Sequence, residues 1–250
     1  MTDKQAEEYQ LNFSHASKSG FKKWLIISLG LAAFSVLQFL VASFVAMQHF
    51  PEGYSMTDNF VSDLGRSSHS YSDFFNFSLM FMGVGLIPMF LTLILVDPRE
   101  SFSMKLATGF GIVSALGLIG MGMTPVDKFI VTHHIALAFW LFPMFYMLIV
   151  FYYSATHSRF IGIGFLFTSL VMVVVMLTVL MRANVSSYQV MQKLIVAFGL
   201  VWLVFIMAFI AQSSRSIIKV MKEPDYSREE AEESYFTQMY REKAARQKRV

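Results

Sequence analysis

Long apolar runs dominate the sequence and restrict the folds open to it. Six such runs lie at roughly residues 23–48, 74–96, 104–124, 131–154, 159–181 and 191–212. An apolar stretch of about 20 residues is long enough to cross a bilayer core of roughly 30 Å as a helix. Lipid offers no partners to backbone polar groups, and a helix satisfies them within the segment. The sequence therefore predicts an all-α, polytopic membrane protein with six transmembrane helices.

Composition agrees with this class. Of the 250 residues, 55% are hydrophobic and only 15% are charged. The first apolar run is too long for the core of a signal peptide and lacks an obvious small-residue cleavage site, so we expect a retained helix. The chain has no cysteine. Thiolate chemistry is therefore excluded, and cysteine usage gives no indication of the compartment.

The distribution of Lys and Arg predicts the orientation. If the N-terminus is cytoplasmic, 16 of the 20 Lys and Arg residues lie on the cytoplasmic side. The outer gaps then hold only Arg66, Lys128, Arg182 and Lys193. Cytoplasmic loops of membrane proteins carry an excess of positive charge. We therefore predict that both termini are cytoplasmic. The expected location of this integral membrane protein is the plasma membrane.

The predicted spans divide the chain into three parts. A cytoplasmic segment covers residues 1–22, a six-helix transmembrane domain covers 23–212, and a charged helical tail covers 213–250. The basic residues flank the membrane and form no separate surface with base-stacking groups, so nucleic-acid binding is not predicted. No predicted span carries a charged residue near its middle, so transport is a weaker third function class and a proton relay through the membrane is disfavoured.

The third span is rich in small residues. Ala107, Gly111 and Ala115 recur at every fourth position. Small residues on one face let helix backbones approach closely in lipid. This pattern predicts a central position for the third span.

The first outer gap contains the stretch FVSDLGRSSHS. Residues 56–65 are predicted to form a short amphipathic helix at the outer interface, ended by Gly65. Ser55 and Asp58 have the spacing of a capping box just before it. Side chains three and four residues apart share one helical face, and the polar face is expected to look toward the mouth of the bundle. Its members are Asn59, Ser62, Asp63 and Arg66.

The predicted topology gathers polar and ionisable residues on this outer face. The candidate ligand-binding residues are Ser62, Asp63, Arg66, Asn76, Asp127, His133, His134 and Arg182. Three interpretations remain open. The cluster could be structural, with an Asp63–Arg66 pair holding the loop. It could be a pocket for a ligand or a lipid headgroup, or a catalytic or metal site. The sequence has no tight metal-ligand motif and no nucleophile elbow around Ser62, and it names no cofactor.

Two function classes follow. The first is a structural or accessory membrane protein, or one that binds a lipid or another ligand at its outer mouth. The second is a membrane-embedded, hydrolase-like enzyme acting on lipid headgroups. In that case the catalytic candidates are Asp63, Asp127 and His134, as acid/base or metal residues.

Two segments resemble the DUF998 family of multi-pass membrane proteins, whose activity is unassigned. They are PEGYSMTDNFVSDLGRSSHSYSDFFNFSLMFMGVGL and GLIGMGMTPVDKFIVTHHIALAFW, and the resemblance covers roughly residues 23–212. The matching positions are Tyr54, Ser62, Asp63, Leu64, Gly65, Asn76, Gly122, Pro125, Asp127 and His134. The resemblance implies the multi-pass fold and this group of residues, but no reaction. The doubled His and the long charged tail depart from the family pattern.

The C-terminal tail is predicted to contain one helix at residues 228–248. Acidic residues crowd its start and basic residues its end, an order that complements the helix dipole. An apolar stripe lies at helical spacing along it, formed by Tyr235, Phe236, Met239 and Tyr240. Because aromatic side chains on a solvated helix favour a covering surface, the stripe predicts a protein partner, self-association or contact with the membrane face. Membrane lipids are the other expected partners.

Overall fold

The structure, a computed structural model, describes residues 18–96, 102–154 and 188–220. These residues form α1 (Lys18–Gln48), a 3₁₀ helix (Val61–Gly65), α2 (Ser72–Leu95), α3 (Phe102–Met123), α4 (Ile130–Ser154) and α5 (Tyr188–Val220). No strand occurs in the ranges described. The predicted all-α class is therefore confirmed there, while the predicted span 159–181 lies outside them.

Among the residues described, four helices are long and apolar enough to cross a membrane. The qualifying segments are Gly20–Gln48, Ser72–Leu95, Phe102–Met123 and Tyr188–Arg215. Helix α4 has 25 residues, and its segment Ile130–Leu141 is also apolar. The helices fit an integral membrane protein, because each satisfies its backbone hydrogen bonds within one apolar segment.

The chain divides into two compact units. Residues Lys23–Ala211 form one unit, and Met1–Lys22 together with Gln212–Val250 form the other. Of the second unit, the structure describes the first residues of α1 and the last residues of α5.

Helices α1 to α4 run up and down in sequence. The side chain of Gln38 donates to the Ser78 carbonyl at 2.8 Å, whereas Trp24 Nε1 donates to Thr92 Oγ1 at 3.1 Å. The later residue of α1, Gln38, thus meets the earlier part of α2, and the earlier residue, Trp24, meets the later part. The two helices are therefore antiparallel. Ser114 of α3 donates to the carbonyl of Trp140 of α4 at 2.8 Å.

Glycines bring α2, α3 and α4 into close contact. A Cβ at Gly83 would lie 2.5 Å from the Ala115 carbonyl oxygen, and one at Gly117 would lie 2.8 Å from the Ala136 carbonyl oxygen. Neither contact leaves room for a side chain, so the backbones themselves touch. Close backbone approach is how helices pack in lipid, where burial of apolar surface gives little drive. α3 lies between α2 and α4.

The connection between α1 and α2, residues 49–71, is called the strap here. The strap lies at one end of the bundle, and this end is called the strap end. Helices α1 and α3 end there, and α2, α4 and α5 begin there. The predicted helix over residues 56–65 is wrong in extent, because only Val61–Gly65 is helical and its form is 3₁₀.

Local side-chain bonds explain the shorter helix. The backbone N–H of Asp58 donates to Ser55 Oγ at 3.2 Å, and that of Ser55 donates to Asn59 Oδ1 at 2.8 Å. Such bonds offer the backbone an alternative to helical pairing. The Ser55–Asp58 spacing does form half of a capping box. In a full capping box the Asp58 side chain would accept from the Ser55 N–H, but here the Asn59 side chain accepts that bond.

Candidate ligand-binding cavity

Asp63 holds the strap in shape through hydrogen bonds to other strap residues. Its side chain is buried, with 7% of the residue exposed. One carboxylate oxygen accepts from the Phe60 N–H at 2.7 Å, and the other accepts from Arg66 Nε at 2.9 Å. The charge of a carboxylate strengthens both bonds. The Asp63–Arg66 pair, which belongs to the structural interpretation of the sequence, is therefore present.

Helix α5 holds the strap from one side. The Val61 N–H donates to Gln192 Oε1 at 2.6 Å, and Lys193 Nζ donates to the Asn59 carbonyl. Lys193 Nζ also lies 5.2 Å from the centre of the Tyr54 ring. Burial, together with the negative charge of Asp63, raises the pKa of Tyr54 to about 12, so its phenol stays protonated.

Helix α2 and the α3–α4 connection hold the strap from the other side. The buried Asn76 side chain donates to the Gly65 carbonyl at 2.9 Å. A Cβ at Gly65 would overlap Asn76 Oδ1 and lie 3.2 Å from the Asn76 side-chain carbon, so a larger residue here would displace the Asn76 side chain. Ser67 donates its N–H and its hydroxyl to the two carboxylate oxygens of Asp127, at 3.0 and 2.6 Å.

The two histidines at the start of α4 differ in environment. His133 is buried and its Nδ1 lies 2.7 Å from the Thr124 carbonyl oxygen. His134 is exposed and its Nδ1 lies 2.7 Å from the Ile130 carbonyl oxygen. A carbonyl only accepts, so each Nδ1 carries the proton and Nε2 of the neutral ring keeps a lone pair. In the neutral form, both rings offer a hydrogen-bond acceptor at Nε2.

Beneath the strap lies a cavity of about 680 Å³. Polar side chains line its upper part, namely Ser62, Asp63, Arg66, Asn76, His133, His134 and Gln192. Apolar side chains from the interior of the bundle line the rest, among them Leu86, Phe90, Leu118, Trp140, Trp202 and Leu203. The volume is within the range of small-molecule sites, which are commonly apolar with a few placed polar groups.

The cavity is deep as well as large. Asn76 and Phe90 both line it and are 14 residues apart on α2. At a rise of 1.5 Å per residue this separation is about 21 Å along the helix axis. The cavity therefore extends through a large part of a bilayer core of roughly 30 Å.

The structure brings seven of the eight candidate residues to one region, with six on the cavity wall. Asp127 lies outside the cavity, where it bonds to Ser67. Arg182 lies outside the described residues. Sequence reasoning missed Gln192 and the two tryptophans. The polar pair Gln192–Lys193 at the start of an apolar run was a usable signal, whereas the sequence does not distinguish Trp140 and Trp202 from other residues of the spans.

The catalytic candidates are each engaged in other bonds. Asp63 bonds to Phe60 and Arg66, Asp127 to Ser67, and His134 to its own helix. In the part of the chain that the structure describes, no group of three His, Cys, Asp or Glu residues is arranged to hold a metal ion. The arrangement gives a polar mouth above an apolar chamber rather than a set of acid/base groups in mutual contact.

Comparisons with known proteins find no match. No protein-family model, no curated protein and no solved structure matches this chain.

Proposed function

We propose that this membrane protein binds an amphiphilic molecule, with its polar head under the strap and its apolar part inside the bundle. One observation carries the proposal: in the cavity of about 680 Å³, the charged, imidazole and amide side chains all lie at the strap end, and deeper in the wall the hydroxyl of Ser114 is taken up by the Trp140 carbonyl. A polar group placed deep in such a chamber would lose its hydration without a partner. The distribution of polar side chains therefore favours a ligand with one polar end.

The mouth offers both donors and acceptors to such a head. Arg66 uses Nε for Asp63, and its side chain is 49% exposed, so the terminal nitrogens remain able to donate. His133 and His134 offer acceptors at Nε2. A head with hydroxyl or phosphate oxygens can use this combination, because guanidinium groups bind oxyanions and imidazoles accept from hydroxyls.

Binding is favoured over the hydrolase-like alternative by the bonds of the candidate residues. A general base needs to reach the proton that it abstracts. The carboxylate of Asp63 already accepts from Phe60 and Arg66, and Asp127 lies outside the cavity against Ser67. These contacts support a role in holding the strap over the ligand.

The three tryptophans of the chain allow a direct test. Trp140 and Trp202 line the cavity, whereas Trp24 lies on α1 and donates to Thr92. A lipid with brominated acyl chains quenches nearby indole fluorescence. When it is titrated into protein in detergent, we expect saturable quenching of Trp202 in the W24F/W140F variant. In the W140F/W202F variant, Trp24 should report only the lipid content of the micelle.

Saturation is the decisive readout. Trp24 is 37% exposed and meets the surrounding detergent, so its quenching should rise steadily with lipid content. If Trp202 follows the same unsaturable curve as Trp24, the cavity holds no lipid and the proposal is wrong. Native mass spectrometry of the wild-type protein provides a second readout, in which retained lipid should be lost from the H134A variant.

The six-span topology with both termini in the cytoplasm, in the plasma membrane, is part of this proposal. Helix α4 begins at the strap end and runs away from it, and α5 begins at the strap end again. Ser154 therefore lies at the end of α4 away from the strap and Tyr188 lies at the strap end, a placement that supports a span at 159–181. The strap end is then the outer face. Membership of the DUF998 family remains an inference from the residues that resemble it.

The tail is proposed to bind a protein partner or a second copy of the chain. The stripe formed by Tyr235, Phe236, Met239 and Tyr240 supports this, and it lies outside the described residues. Truncation after residue 223 should leave the transmembrane domain folded and release the partner in a mild-detergent pull-down. If the truncated chain keeps every partner, the tail is not the contact.

A further inference from the structure

A shallow apolar groove lies on α4 beside the cavity. Its walls are Ile130, Val131, His134, Ile135 and Ala138. Three of these residues, Ile130, His134 and Ala138, also line the cavity. The groove and the cavity therefore meet along one edge of α4, close to the polar mouth.

The groove faces the surroundings of the bundle. Val131 is 69% exposed and Ile135 is 51% exposed, and both are apolar. In a membrane protein, exposed apolar side chains on a helix contact lipid chains. The first two turns of α4 place this surface just below the strap end, at the depth where headgroups meet acyl chains.

The strap lies over the cavity at the strap end. Four of the hydrogen bonds that tie it down run from Val61 to Gln192, from Asn76 to Gly65, and twice from Ser67 to Asp127. A ligand that entered from water by displacing the strap would break several of them at once. A ligand that entered along the groove would leave all four in place.

We propose that the ligand of the cavity is a membrane lipid of the leaflet at the strap end, which reaches the cavity sideways through the groove beside His134. This inference rests on the proposed function. The acyl chain exchanges one apolar environment for another, so it meets little resistance and gains little free energy. The headgroup stays at the level of Asp63, Arg66 and His134 throughout. Affinity then depends on the polar contacts at the mouth, because chain burial contributes almost nothing.

Two variants separate the sideways route from the route through the strap. The V131F/I135F variant narrows the groove without touching the cavity, because neither residue lines the cavity. The T132F variant is its matched control, since Thr132 is exposed on the same helix and lines neither feature. The S67C/D127C variant locks the strap, as a disulfide or through a short bis-maleimide. The wild-type chain has no other cysteine.

The readout is the rate of Trp202 quenching in the W24F/W140F background, after mixing with micelles that hold brominated phosphatidylcholine. We expect V131F/I135F to slow both quenching and recovery about tenfold, as a modest rise in barrier does, with the final extent unchanged. T132F and the locked strap should leave both rates unchanged.

Each other result counts against the inference. Slow quenching in the locked strap with normal rates in V131F/I135F would show that the ligand comes through the strap from water. Unchanged rates in both variants would also overturn the groove as a route. A smaller extent of quenching at unchanged rates in V131F/I135F would mean that the groove shapes the site but does not admit the ligand. Absence of saturable quenching in the unmodified background would instead refute the proposed function itself.

Discussion

Ser67 donates its backbone N–H and its hydroxyl to the two carboxylate oxygens of Asp127, 60 residues further along the chain. The pair joins the strap to the connection between α3 and α4. Because both donors come from one residue, the strap is fixed in orientation as well as in position. This contact makes Asp127 a structural residue of the cavity's cover.

The D127N variant should loosen the strap. The amide keeps one acceptor oxygen where the carboxylate has two, so one bond from Ser67 is lost and the other loses its charge. Amide exchange at Ser67 should quicken, and the melting temperature in detergent should fall by about 2 °C. The D73N variant is the control, because exposed Asp73 has the same charge and begins α2. Equal exchange rates in both variants would contradict the role given to Asp127.

The same contact predicts a pH dependence. The hydroxyl of Ser67 lowers the pKa of Asp127 below its ordinary value. A group with a lowered folded-state pKa contributes stability above its unfolded-state pKa, which is about 3.9 for Asp, and loses it as the pH falls through the folded-state pKa. The difference in melting temperature between wild type and D127N should thus be constant from pH 5 to 8 and shrink below about pH 4. A difference that shrinks near neutral pH would point to another group.

Gly117 should be intolerant of a side chain. A Cβ there would lie 2.8 Å from the Ala136 carbonyl oxygen and 2.9 Å from the Phe139 carbonyl carbon, and backbone cannot move aside cheaply. Overpacking typically costs about 1–3 kcal/mol, so G117A should lower the melting temperature clearly. G109A on the same helix is the control, because nothing lies within 4 Å of its Cβ position. If both variants melt alike, the close contact of α3 and α4 does not determine stability.

Asp63 and His134 should behave differently when changed. D63N weakens the charged bond to Arg66 in a buried site, which should cost about 2 kcal/mol of unfolding free energy. H134A removes an exposed ring bonded only within its own helix among the described residues, so its effect on stability should be under about 0.5 kcal/mol. Thermal melting and lipid retention together separate the two roles. A stable D63N protein would argue against the anchoring role of Asp63.

The topology can be tested with single cysteines. The chain has none of its own, so Ser68→Cys in the strap and Ser234→Cys in the tail each introduce one labelling site. An impermeant maleimide added to intact cells should label only the first, and the second should react after the cells are opened. Labelling of both sites in intact cells would rule out a strap and a tail on opposite sides.

The sequence determined where the described helices lie because the need to satisfy the backbone in lipid is local to each segment. The predicted spans 74–96 and 131–154 correspond to Ser72–Leu95 and Ile130–Ser154. Helix α5 extends beyond its predicted span at both ends, because hydropathy marks the apolar part of a helix and not its polar turns. The Asp63–Arg66 pair was also predictable, since its spacing is local.

Only the tertiary structure decided which residues surround the cavity. Gln192 meets Val61 from 131 residues away, and no local pattern indicates that contact. Trp202 faces the chamber while Val204 is 55% exposed, although both belong to one apolar run. In water, hydrophobicity separates the inner face of a helix from the outer one. In lipid both faces meet an apolar environment, so shape and close packing select the inner face, and these depend on neighbouring helices.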